Sequence, residues 1–187
     1  MTTEFFITYG WNAKAWNPWN LDSFMTKWAQ REFGVSPDDA QSIAGLIANV
    51  TRYVFILGIR TLSLTLCHSF NARRKPELLN STLYSLVNYR EAENVLATWN
   101  SMSAMASSMY GKMSKAMQPA FFQLVYHPVV ASATVNKMWI AAGMNNLRAS
   151  GARVSANEYG TQVQDLFGMD YELETQYHSL LNGKWDQ

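Results

Sequence analysis

Apolar residues recur along this chain at helical rather than strand spacing. Leu21, Phe24, Met25, Trp28 and Ala29 fall three and four apart, and Gly34 follows where a left-handed residue can close a helix. Ser36-Pro37-Asp38-Asp39 reads as the next helix start. Ser36 can accept orphan backbone N–H groups, Pro37 fits the first turn, and both carboxylates favour the positive end of the helix dipole. That helix should run through Ile43, Leu46, Ile47 and Val50. A long amphipathic helix is predicted from about Asn88 to Tyr110, with Tyr89, Ala92, Leu96, Trp99, Ala106 and Tyr110 on one face. Two further sets, Tyr159, Val163, Leu166, Phe167 and then Leu173, Tyr177, Leu180, Leu181, have Gly168 and Gly183 as stops. No stretch alternates with period two for long enough to make a strand. The predicted fold class is therefore all-α, a bundle of about five to six helices joined by short loops.

Between these lies 118–150, QPAFFQLVYHPVVASATVNKMWIAAGMNNLRAS, the longest helix-forming run. Pro119 suits a first turn, and Phe121, Phe122, Leu124 and Val125 continue as an apolar stripe. Pro128 should kink or restart the helix, because its ring removes one hydrogen bond and crowds the preceding turn. Beyond it Ala131, Ser132, Ala133, Ala141, Ala142 and Gly143 would let a neighbouring helix approach closely.

One segment breaks the pattern. Residues 53–69 are apolar and β-branched, yet contain Arg60 and His68, and are too short for a membrane span of about 20 apolar residues. A buried helix or strand is one reading. A retained intron is another: Arg52-Tyr53-Val54 can be encoded by a splice-donor-like GTATGT, Leu64-Thr65 by a branch point, and Ser69 by an acceptor AG, with the frame intact on removal. A Ser69 codon beginning TC would exclude that splice pair.

Composition narrows the function. At 187 residues the length suits one ordinary domain. Charged residues make up 16%, against about a quarter in typical domains, so much of the surface should be neutral or apolar and suited to covering by other domains. A net charge of +1 gives no electrostatic footprint for nucleic acid, and Arg73, Arg74 and Lys75 form the sole basic cluster. The single cysteine, Cys67, precludes an internal disulfide and a cysteine-rich metal site. His68, His127 and His178 are dispersed and match no metal-binding spacing, so no metal and no cofactor are expected. The start MTTEFFITYGW has an early acid and lacks a basic-then-apolar leader, so no signal peptide is read.

Several stretches together resemble glycoside hydrolase family 115, the xylan α-1,2-glucuronidases. FFITYGWNAKAWNPWNLDSFMTKWAQREFG (5–34) is similar to the segment by which that family passes from its catalytic barrel into a helical region. NARRKPELL (71–79), YSLVNYREAENVLATW (84–99) and AFFQLVYHPVVASATVNKMWIAAGMNNLRA (120–149) resemble the helical region itself, in the same order. LNGKWDQ (181–187) resembles the start of a further motif. The resemblance implies three parts: 1–20 as the remnant of the barrel connection, 21–183 as a helical bundle with 53–69 inserted, and 184–187 as the truncated start of another domain.

The activity implied is inverting removal of 4-O-methyl-glucuronic acid from glucuronoxylan. Such chemistry needs an acid and a base carboxyl about 6.5–9.5 Å apart. In the family these lie in a barrel preceding the region resembled here, so no catalytic residue is assigned to this chain, and inactivity alone is expected. Asp38, Asp39, Glu91 and Glu93 are read as helix-start carboxylates instead. Arg73 and Arg74 are the substrate-binding candidates, since a guanidinium fork suits a uronate carboxylate. Their competing role is to bridge helix ends. Tyr126-His127 beside the kink is read as bonding to freed backbone rather than as catalytic. The expected partners are glucuronoxylan in a full-length parent, itself secreted, and a homo-oligomer; no nucleic acid and no membrane are expected. A stand-alone helical oligomerisation or docking module is the opposing class of function.

Overall fold

A computed structural model describes residues 2–17, 20–60 and 84–186. They form α1 (Thr2–Trp11), a 3₁₀ turn (Ala13–Ala15), α2 (Leu21–Phe33), α3 (Pro37–Arg60) and α4 (Glu91–Lys112). Then come α5 (Gln118–Phe121), a π-turn (Phe122–Tyr126), α6 (His127–Ser150) and α7 (Ala156–Gly183). Because α5, the π-turn and α6 are continuous, the described residues make six helical rods, and the fold is an all-α bundle. The backbone is helical to Arg60, so the aberrant run 53–69 begins inside α3, and its remainder lies outside the described residues.

Residues 1–49 and 50–187 form two compact units. In the first, Gly34 closes α2 at φ 61°, with its N–H on the Gln30 carbonyl. Glycine meets that left-handed geometry without the crowding a Cβ would bring. The start of α3 is a serine cap: Ser36 Oγ accepts the Asp39 N–H at 3.2 Å and donates to the Asp39 carboxylate at 3.0 Å. Phe24, Trp28, Ala29 and Phe33 of α2 and Ala40, Ile43 and Leu46 of α3 are buried. Phe5, Trp16 and Phe24 meet edge to face with centroids 5.0–5.8 Å apart.

The second unit is organised around α6, which packs most extensively on α7 and next on α4. Ala131, Ala133, Ala141 and Gly143 are buried along it, so small side chains do line its close contacts. Buried Trp99, Met102, Ala106 and Met109 mark the inner face of α4. The disturbance expected at Pro128 takes the form of the π-turn just before it, where the His127 N–H bonds the Phe122 carbonyl five residues back. The widened turn gives the ring room that a tight α-turn would deny it.

Four expectations shift. Tyr89 does not join the α4 face; it lies before the helix at φ 55° and is 96% exposed. Leu124 is exposed rather than part of the stripe, because the π-turn changes the angular step between side chains. Gly168 does not stop a helix: α7 runs through it, and the helical backbone is broken only at Leu180, Leu181 and Asn182, just ahead of Gly183 at φ 79°. Glycine costs a helix interior only about 1 kcal/mol, less than the packing of Leu166 and Leu173 on either side contributes. Phe167 and Leu181 point to solvent, leaving Tyr159, Val163, Leu166, Leu173, Tyr177 and Leu180 as the inner stripe.

Candidate functional site

Side chains capable of chemistry gather in the second unit where the π-turn meets the C-terminal half of α7. Phe122, Ala131 and Leu173 form a buried cluster, with Tyr110, Tyr126, Tyr177 and Leu180 packed around it. The His127 ring lies 4.8 Å from that of Tyr177 and 5.9 Å from that of Phe122. Gln123 Nε2 donates to the Tyr177 hydroxyl at 3.2 Å. His127 thus packs among aromatic rings of the π-turn and α7, a contact that differs from the backbone hydrogen bond expected of it.

Continuing outward, Tyr177 meets His178 edge to face at 5.9 Å, and His178 borders an open groove of about 650 Å³. Tyr171, Glu174, Thr175, Ser179, Asn182, Gly183 and Asp186 complete the lining. The chain reverses here: Leu181 and Asn182 take left-handed φ values of 53° and 61° before Gly183, which returns Asp186 towards α7. His178 Nδ1 lies 3.4 Å from the Asp186 carboxylate and Nε2 lies 3.8 Å from Glu174. A protonated imidazole here would be flanked by two carboxylates. Neither the groove's openness nor its residues supply an enclosed acid–base pair or a nucleophile with its base.

A second polar cluster is structural. Buried Tyr84 donates its hydroxyl to buried Asn136 Oδ1 at 2.5 Å, while Asn136 Nδ2 donates to the Ser132 carbonyl at 2.8 Å. This ties the strand of chain before α4 to the middle of α6. Glu91 finishes the same junction by accepting the Ser85 N–H at 3.2 Å.

The carboxylates singled out in the sequence are thus placed at helix starts. Asp38 and Asp39 occupy the first turn of α3, Glu91 and Glu93 that of α4, and Glu93 forms an exposed ion pair with Arg90. Arg73 and Arg74, the substrate-binding candidates, lie outside the described residues, as do Lys75, Cys67 and His68. Among the described residues no group of three or more His, Cys, Asp or Glu could hold a metal ion. Nor is any described helix long and apolar enough to cross a membrane.

Sequence reasoning missed the His178 and Asn136 clusters. The first had a signal, Glu174 and His178 one helical turn apart. The second had only an asparagine among apolar positions, and its partner lies 52 residues away.

In the first unit the notable surface is on α1. This helix carries a single charged residue, Glu4, which pairs with Arg31. Hydrogen bonds to Glu32 and then Glu4 hold the Arg31 guanidinium above its ordinary value. Phe6, Ile7 and Trp11 are exposed, Trp11 by 92%. α1 therefore carries large apolar side chains on its exposed surface as well as Phe5 against Phe24.

The described residues thus form an all-α bundle that carries an open, polar-lined groove on α7. Comparison adds a family link for one part of it: residues 1–58 match the family profile described as Glycosyl hydrolase family 115. The N-terminal segment is thus similar to that family, and the match ends within α3. The stretches at 71–79, 84–99, 120–149 and 181–187 lie beyond it. No curated protein matches the chain.

Proposed function

We propose that this chain is a non-catalytic helical part of a family 115 α-glucuronidase, one that buttresses the barrel in which glucuronoxylan would be cleaved. The observation that carries the reading is the coincidence of two features in one segment. Residues 1–58 match the family, and within them α1 leaves Phe6, Ile7 and Trp11 exposed on a helix with almost no charge. Large apolar groups facing water are what remain when a packing partner is missing. On this reading 1–20 are the connection from the barrel, 21–183 the supporting bundle, and 184–187 the start of a following domain. Arg73 and Arg74 remain candidates for meeting a uronate carboxylate.

A second reading, a stand-alone oligomerisation or docking module, is favoured by a different surface. Phe167, Met169 and Tyr171 are exposed on α7, well outside the family-matched segment.

A full-length transcript read through codons 52–69 and past both ends separates the two. A longer message that encodes an upstream barrel in frame supports the supporting-domain reading, and loss of 53–69 from it would establish the intron. A message confined to this chain would overturn that reading. The purified chain should release no 4-O-methyl-glucuronic acid from glucuronoxylan; measurable release would refute the non-catalytic assignment.

A further inference from the structure

We draw no further inference here: the strongest candidate, the open groove at the C-terminal end of α7 where His178 lies between Glu174 and Asp186, is a histidine–carboxylate cluster with no second observation that points to a ligand.

Discussion

Trp99, at the middle of α4, has no exposed surface, and with Phe121 it is among the largest fully buried side chains. Truncating such a residue removes its transfer free energy and leaves a cavity that the surrounding helices fill only in part. Trp99→Ala should therefore cost about 3–5 kcal/mol in urea unfolding; a loss under about 1 kcal/mol would mean that α4 is not packed as described. Lys137 on α6 poses the opposite case. Burial lowers its amine below the ordinary value of 10.5, so folding disfavours the charged form. The penalty is complete below the folded-state value and fades as pH rises from there towards 10.5, because only then does the unfolded chain hold the extra proton. Lys137→Met should raise Tm near neutral pH by about 2 °C, since the side chain is only half-buried, and the gain should shrink in alkaline buffer. A constant gain across that range would attribute it to packing instead.

At the level of elements, local chemistry sets several boundaries. The Ser36 hydroxyl caps α3 in the way its position before Pro37-Asp38-Asp39 implies. Ser36→Ala should cost about 1 kcal/mol by thermal or urea unfolding, and Ser36→Asn should recover most of it. Equal losses in both variants would argue against a capping role. Other boundaries are not local. Gly168 is a plausible stop in isolation, yet α7 continues because its inner stripe lies against α6 on both sides of the glycine. The start of α4 likewise depends on Tyr84 reaching Asn136 and on Glu91 receiving the Ser85 N–H. Tyr89 and Arg90 are turned into left-handed geometry at that junction, which no helical periodicity could reveal.

For the whole molecule, the exposed aromatics of α1 have the clearest consequence. Phe6 and Trp11 are 75% and 92% exposed, so replacing both with serine removes apolar surface while leaving buried packing nearly untouched. Sedimentation velocity of Phe6→Ser/Trp11→Ser should show less self-association than wild type, with little change in far-ultraviolet circular dichroism. Unchanged association would direct attention to Phe167, Met169 and Tyr171 on α7. The same measurement on wild type bears on the competing functions: a single defined oligomer favours an assembly module, and open-ended aggregation favours a surface missing its cover.

The sequence by itself determined the helical class, the cap at Ser36, the stop at Gly34, the crowding at Pro128 and the helix-start placement of the four carboxylates. These follow from interactions within about one helical turn, which composition and spacing encode directly. The resemblance of 5–34 to family 115 also rested on sequence, and the family match falls across it. Only the tertiary structure decided that Pro128 is accommodated by a π-turn, that α7 runs unbroken through Gly168, and that Phe167 and Leu181 face water. It alone joined Tyr84 to Asn136 and set His178 between Glu174 and Asp186. Those outcomes depend on which helix lies against which, and a contact made across 52 residues leaves no local trace in the chain.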